Sequence, residues 1–501
     1  MPSAFFGLDI ANTALSAAQV LMDIAGQNIA NDATPGYSQQ VAGLVPTQPY
    51  AQPDMGGLYT PQLGTGVQVE SVTRVRANYL DGLFRTTQSD ESNYSTRSNY
   101  LQALQSVLNE PGSSGLSTTI NRFFSDYQTL SQNPQSSAAR TVVQQDGEAL
   151  AAQIQQIYQG LQNVGQQAQN QAALDVQTVN SDLQQLANLN QTIVQAQALG
   201  QQPNDLLDKR DNLLDSLSKL ININVSTQTA TVGSNVTSQV TVTTPASGGG
   251  AVTLVDGSQY GSIALSAASS GPQFSLTATD AVTGPVSPAP TLAPTGGSIG
   301  AAYQLVNQDL NPTPTSGQSL MSEFLGAVYQ LAYQVNQVQD QGYYLDPTTG
   351  QYVNSPAVDF FVSQTSSGST ALTQANVQNI EVNPQIQQNT DYIAAGATAN
   401  PGDGANATAM ADIAQTQGGP VQQYAAFVSD MGASVDLAQN LQSTSDSLLT
   451  QITSQREQTA GVSINEQMTN LIQAQSMYTA AAKVAEAMDS SLQSLLSAIQ
   501  P

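Results

Sequence analysis

Asp208, Asp211 and Asp215 fall at spacings of three and four, which places three carboxylates on one face of a helix. Two carboxylates so placed can serve as acid and base on a glycan. Against that chemistry stand Lys209 and Arg210 close by and Lys219 four residues beyond Asp215. These suit a solvated, ion-paired face, each pair contributing about 0.2–0.5 kcal/mol. A second candidate is Ser216-Leu217-Ser218-Lys219, where a lysine one turn on would activate a serine. The companion Lys-Thr-Gly and Ser-Asp-Asn elements are missing, so both read as surface residues of the same helix. The stretch 346–354 is oxygen-rich, but its spacing departs from a calcium loop and fits a turn. The chain has no His and no Cys, which removes the common catalytic triads, most transition-metal sites and all disulfides. The sequence therefore assigns no catalytic, cofactor-binding or metal-binding residue.

The stronger patterns are apolar. Near the N-terminus one register reads Leu8, Leu15, Met22, Ile29, and the register offset by three reads Ala11, Ala18, Ala25. Near the C-terminus Ile464, Leu471, Tyr478, Ala485, Leu492 and Ile499 step by seven. The row offset by four reads Met468, Gln475, Ala482, Asp489, Leu496, with Met468, Ala482 and Leu496 apolar. Seven-residue spacing keeps one stripe of a helix facing a partner helix. Stripes at both extremes of a chain suit ends that join each other or neighbouring copies, so these rows are the candidate assembly residues.

The elements between follow from the same periodicities. Residues 4–31 read as one amphipathic helix, stopped by Asn28, Asn31, Asp32 and Pro35-Gly36. Residues 36–75 read as an extended arm with short strands. From 76 to 220 the pattern is helical. Tyr94, Leu101 and Leu108 hold one row, Val143, Leu150, Ile157 and Val164 a second, and Ala172, Val179, Leu186 and Ile193 a third, offset by a register slip. Residues 221–298 lack Lys and Arg and alternate, as in Val240/Val242 and Ile263/Leu265, which predicts strands. Helix is expected again over 299–342 and 415–460, with a mixed segment at 343–414. Gly461 ends the last of these, and Ser463 to Glu466 fits a capping box opening the final helix. The expected fold is α+β and multidomain: 1–35 with 461–501 as a coiled-coil-like inner layer, 36–75 as an arm, 76–220 with 299–342 and 415–460 as a helical bundle, and 221–298 as an inserted β domain.

Composition narrows the function. Of 501 residues only 9% are charged, against about 25% in ordinary soluble proteins, and the net charge is -25. Nucleic acid and anionic membrane surfaces would repel such a chain. No apolar run reaches the roughly 18 residues that a membrane span needs. The first basic residue is Arg74, so no Sec or Tat signal is expected. Freedom from crosslinks suits a chain that passes an export channel unfolded.

Asn28-Ile29-Ala30-Asn31 followed by Thr34-Pro35-Gly36-Tyr37-Ser38 resembles the signature of bacterial flagellar rod, hook and hook-associated proteins. Gly461-Val462-Ser463, the run 471–475, Tyr478 and the run 480–484 resemble the C-terminal signature of the same group. Residues 204–211, Leu331-Ala332, Asn336, Gly342 and Phe360-Phe361 resemble its hook-associated members. Gln39 and Gln339 depart from the pattern, standing where a basic residue and a His are expected. The resemblance marks Asn28, Asn31, Thr34, Pro35, Gly36 and Tyr37 as motif residues. It implies a structural subunit, exported by the flagellar type III apparatus and placed in a ring where hook meets filament, needed for filament growth and motility. The partners it implies are further copies of the chain, the hook protein, a second junction protein on the filament side, and an export chaperone holding the C-terminal region. The alternatives are a hook or distal-rod subunit, or a cell-wall hydrolase or adhesin carried by the same route.

Overall fold

The computed structural model describes residues 6–51, 62–233, 235–269, 271–314, 317–365 and 368–499. The chain opens with α1 (Phe6–Ala30) and an arm of β1 (Gln40–Pro46), β2 (Tyr50–Ala51), β3 (Gln62–Leu63) and β4 (Val67–Arg74). Four helices follow: α2 (Asn78–Leu108), α3 (Leu116–Gln132), α4 (Ser137–Ala198) and α5 (Asn204–Leu220). The β module holds β5 (Asn224–Val232), β6 (Asn235–Pro245), β7 (Ala251–Asp256), β8 (Gln259–Tyr260), β9 (Ser262–Ala267), β10 (Phe274–Thr279) and β11 (Thr291–Leu292). After α6 (Gly297–Gln304) and α7 (Leu320–Gln341) come β12 (Tyr344–Leu345), β13 (Tyr352–Val353), β14 (Phe361–Thr365), β15 (Gly368–Thr370) and β16 (Ile380–Val382). The chain closes with α8 (Pro384–Gln388), α9 (Ala405–Asp412), α10 (Pro420–Ala460) and α11 (Ile464–Ile499). The fold is α+β and multidomain.

The axis of the body is α4, 62 residues without a break. Both heptad rows on either side of the eight-residue step are buried, from Val143 to Val164 and from Ala172 to Ile193. The helix absorbs the slip because different elements cover its two halves. Near its start, Gly147 lets Phe360 lie against the backbone, since a Cβ there would come within 2.7 Å of the ring. Phe360 stacks edge-on against Phe123 of α3 at 5.4 Å, and Tyr127 and Phe361 complete an aromatic cluster. Farther along, Val240, Val242, Leu254, Ile263 and Leu276 of the β module join the same core as Val179, Leu183 and Leu186. The hydrophobic core is therefore continuous across residues 220 and 342.

The helix expected over 299–342 is two helices. The segment Leu305–Asp309 winds as a π-helix after α6. Pro312 and Pro314 then remove backbone donors, and Ser319 restarts the chain as α7 with a reciprocal cap to Ser322 at 3.0 Å and 2.9 Å.

A chain rich in amides and poor in charge secures its strands with amides. An Asn side chain offers a donor and an acceptor spaced like those of a peptide unit. Asn180 pairs with both N–H and C=O of Ile263 at 2.8 Å each. Asn336 does so with Phe361 at 2.7 and 2.8 Å, and Asn307 with Phe274 at 2.9 and 3.2 Å. Gln339 works alike: its amide donates to the Tyr392 carbonyl at 2.7 Å and accepts from the Ala394 N–H at 3.2 Å. That two-way bonding is what the residue does where a His was expected.

Candidate functional site

The site of interest is where the chain's two ends meet. α1 and α11 lie antiparallel: Asn28 bonds Gln467 at one end, and Gly7 meets Met488 at the other. On α1 the alanine row is the buried one, with Ala11, Ala18 and Ala25 at 2% exposure or less. Facing it on α11 are Gln467, Ala474 and Ala481, all buried, and then Met488, another step of seven. Small residues on both sides let two backbones approach closely.

This places the C-terminal contact on a row that the sequence patterns do not pick out. The row Ile464, Leu471, Tyr478, Ala485, Leu492 lies on the flank: Leu471, Tyr478, Ala485 and Leu492 are half-buried and Ile464 is exposed. Ala482 is half-buried, Met468 is 45% exposed, and Ile472 beside them is 58% exposed. On α1, Leu8, Leu15, Met22 and Ile29 are likewise half-buried. The side chains of Leu496 and Ile499 lie outside the described residues. The physical reason is steric. Alanines allow the tight intrachain seam, so the large apolar side chains are turned to its edges and to solvent.

Asn28 ties the seam to the arm. It is fully buried. Its amide donates to the Gln40 carbonyl at 2.9 Å and to Gln467 Oε1 at 3.0 Å. Its oxygen accepts from the Gln40 N–H at 3.0 Å and from the Tyr37 hydroxyl at 2.8 Å. All four bonding positions of the amide are filled, which neither Asp nor Leu can do. The rest of the motif shapes the turn that brings Tyr37 there. Asn31 caps back to Gln27, Thr34 bonds Asn31 at 3.2 Å, and the Tyr37 N–H bonds Thr34 at 3.1 Å. Gly36 has φ +76 and its Cα abuts Asn212 of α5, where a Cβ would come within 1.8 Å of the amide. That close approach and the left-handed backbone both require glycine. Pro35 presents its carbonyl to the Asn212 amide at 3.4 Å. Burial, with Asp205 and Asp208 nearby, pushes the Tyr37 phenol up to about 12.

Beside the turn, the aspartates of α5 depart from the solvated face expected of them. Asp208 is buried, and Asp211 and Asp215 are nearly so. Asp208 accepts from the Ser38 hydroxyl at 2.7 Å and from Arg74 at 2.6 Å. From Arg74 the ion pairs pass to Asp211 at 2.9 Å and there close into a ring. Asp211 holds Arg76 and Arg85, each at 3.2 Å. Arg85 holds Asp215 at 2.8 Å, and Asp215 holds Arg456 at 3.0 Å. Arg456 holds Asp81 at 3.0 Å, and Asp81 returns to Arg76 at 3.3 Å. The Arg456 guanidinium also lies 4.1 Å above the Phe84 ring. The ring joins α2, α5, the link between β4 and α2 and the last turns of α10, with Arg74 at the end of β4 attached through Asp211. That is the neck through which the chain leaves the body for the terminal helices and returns. The backbone of Gln39 adds a strut, its N–H bonding the Ala460 carbonyl at 2.9 Å.

The electrostatics of the ring are uneven. Burial pushes the Asp211 carboxyl up, but Arg76, Arg74, Arg85 and Arg210 outweigh it and hold it below the usual range. At Asp81 burial wins over Arg76 and Arg456, and the carboxyl is raised. Arg210 is buried next to the ring, with Nε and Nη1 unpaired among the described residues. Burial, opposed by Asp211, brings its guanidinium down to about 10. Among the described residues, Asp81, Asp208, Asp211 and Asp215 are each paired with at least one arginine. A cleft of about 570 Å³ opens beside the cluster, lined by Tyr37, Phe84, Lys219 and Arg456.

The other candidates are scattered. Ser216 and Lys219 are exposed. Asp346 closes a turn on Thr348 and Thr349 at 2.9 and 2.6 Å. Ser463 accepts from the Glu466 N–H at 3.5 Å, half of the expected capping box. The residues that escaped the pattern reading are Gln40, Gln467, Ala474, Ala481 and the arginines. The available signal was that so few basic residues include Arg74, Arg76 and Arg85 within one short stretch. No helix among the described residues is long and apolar enough to cross a membrane.

Comparisons with known proteins agree with this architecture. Residues 101–353 match the family described as the flagellar hook-associated protein FlgK helical domain. Residues 453–498 match the flagellar basal body rod FlgEFG protein C-terminal family. The chain is 29% identical over 513 residues to flagellar hook-associated protein 1 of Bacillus subtilis (strain 168), covering 99% of this chain and 98% of that one. It is 24% identical over 556 residues to flagellar hook-associated protein 1 of Escherichia coli (strain K12), covering 97% and 98%. The match to flagellar hook-associated protein 1 of Salmonella typhimurium is 29% over 388 residues, 76% of this chain and 64% of the relative. Among solved structures, the flagellar hook junction protein FlgK from Burkholderia pseudomallei shares the fold at a TM-score of 0.59. It is 15% identical, with 75% of this chain and 99% of that chain covered.

Proposed function

The chain belongs to the flagellar hook-associated family that carries the FlgK helical domain, and from that premise we propose that its terminal helix pair is the surface by which it is built into the flagellar axis. Members of this family are exported components of the flagellum, and the chain is a structural protein of the hook–filament junction. The observation that carries the proposal is the division of labour on α1 and α11. Alanines make the intrachain seam, while Ile464, Met468 and Ile472, stepping by four, stay exposed on a helix whose small-residue face is already used. A large apolar row left open at the edge of a closed seam calls for a further partner. In the axis that partner is the terminal pair of an adjacent copy, with the hook protein below and the second junction protein above. Before export the same row is covered by the chaperone.

The motif residues act through geometry. Asn28, Asn31, Thr34, Pro35, Gly36 and Tyr37 set the angle at which the seam leaves the arm. The ion-pair ring fixes that arm to the body, so the terminal pair is presented at one orientation. The chain works by position, and its aspartates serve structure rather than catalysis. Gold labelling of this chain on isolated hook–filament preparations tests the placement. Label confined to the boundary between hook and filament is expected; label along the filament or in the rod would overturn it.

A further inference from the structure

We propose that the outer edge of β5 is a self-pairing edge, to which β5 of a second copy of this chain adds as an antiparallel strand. It is independent of the axial role. The sheet runs β5-β6-β7-β8, so β5 is an outer strand. It is nine residues long and pairs with β6 from Asn224–Thr243 to Val232–Asn235 with no bulge. Apart from Val225, every side chain along it is exposed. The connection 233–234 is two residues long, so Val232 and Asn235 form the closing hydrogen-bonded pair. By alternation the N–H and C=O groups of Val225, Thr227, Thr229 and Thr231 then point away from β6. Among the described residues nothing bonds them.

Sheets blunt such an edge with a lysine, a proline, a bulge or a cover. β9, the outer strand of the neighbouring sheet, has Asn180 clipped to Ile263. β5 has no charge, no proline and no bulge.

Charge identifies the occupant. At -25 two copies repel, but from Leu220 to Val255 the chain carries no charged residue. This is a stretch where a second copy can approach an edge without setting like charges opposite each other. The strand also complements itself. A twofold axis at Gln228 sets Val225 opposite Thr231 and Thr227 opposite Thr229, which brings all the outward groups face to face. The exposed valines at the hairpin end, Val232 at 47% and Val236 at 65%, extend the apolar area near the contact. A twofold pair closes on itself, unlike the head-to-tail contacts that propagate along an axis.

Hydrogen exchange and sedimentation of the full chain, from low micromolar to submillimolar concentration, test this. Exchange at Val225, Thr227, Thr229 and Thr231 should slow as concentration rises, in step with a dimer. Thr229→Lys should abolish both effects with an unchanged circular dichroism spectrum. Thr227→Pro, tolerable where the N–H faces outward, serves as a second variant if the first is unstable. Ile472→Asp, which alters the terminal helix instead, should leave the β5 protection in place. Exchange at these amides that does not change with concentration would overturn the proposal, as would equal slowing in the lysine variant.

Discussion

Asn28 and Gln467 stand 439 positions apart in the chain and share a buried hydrogen bond of 3.0 Å. That bond is where the two ends of the molecule become one unit, because Asn28 also holds Gln40 and Tyr37 of the arm. Replacing Asn28 with Leu fills the space and strands its partners, at about 1–3 kcal/mol for each group left unpaired. Amide exchange should accelerate throughout α1 and α11 and stay unchanged in α4. Uniform acceleration across the body would show that the hub supports the whole fold rather than the terminal unit.

The ion-pair ring should behave as one object. Arg456→Gln leaves Asp81 and Asp215 each short of a counter-ion, and breaking a buried pair costs about 3 kcal/mol. Asp215→Asn weakens the same contact from the other side. The double variant should lose clearly less than the sum of the two singles. Additive losses in denaturant unfolding would mean that the two residues act separately.

A carboxyl pair elsewhere sets a pH dependence. Burial, and then Asp146, raise the Asp126 carboxyl from 3.8 to about 7. The folded chain therefore binds this proton more tightly than the unfolded chain. Stability should fall as pH rises from 3.8 toward 7 and level off above. Asp126→Asn removes the titration, so its melting temperature should exceed that of the parent at pH 8 and differ little at pH 4. A variant less stable than the parent at pH 8 would contradict this.

The β module reads in the sequence as an insertion, but it covers half of α4. Val240, Val242 and Ile263 share a core with Val179, Leu183 and Leu186. Replacing residues 221–298 with a Gly-Ser linker should therefore reduce helical circular dichroism by more than the module's own contribution, because α4 loses its cover. Retention of full helicity would mark the module as dispensable.

How much of this was legible follows from what each pattern encodes. The rows of α4 were readable because large apolar residues at constant spacing have one use in a long helix. The α1–α11 seam was half readable. Ala11, Ala18 and Ala25 stood out as an unbroken row, but their counterpart begins with a glutamine and continues with alanines, which the larger Ile464–Leu471–Tyr478 row outshines. The neck was not legible. Arg74 and Arg456 are far apart in the chain, and spacing along α5 alone cannot tell a solvated aspartate face from one closed by arginines of other elements. The break near Pro312 was visible as residue types, but the apolar rhythm on either side hid it.

The terminal helices carry two different faces, an inner one for the chain itself and, as proposed, an outer one for its neighbours. Met468→Asp with Ile472→Asp charges only the outer face. Exposed positions of this kind change monomer stability by about 0.5 kcal/mol or less, so the variant should melt with the parent. The decisive measurement is the fraction of hooks that bear filaments when this variant replaces the parent chain in cells. Folded protein and bare hooks are expected. Filaments at the parent frequency would show that the exposed row has no part in assembly and would contradict an outward assembly face.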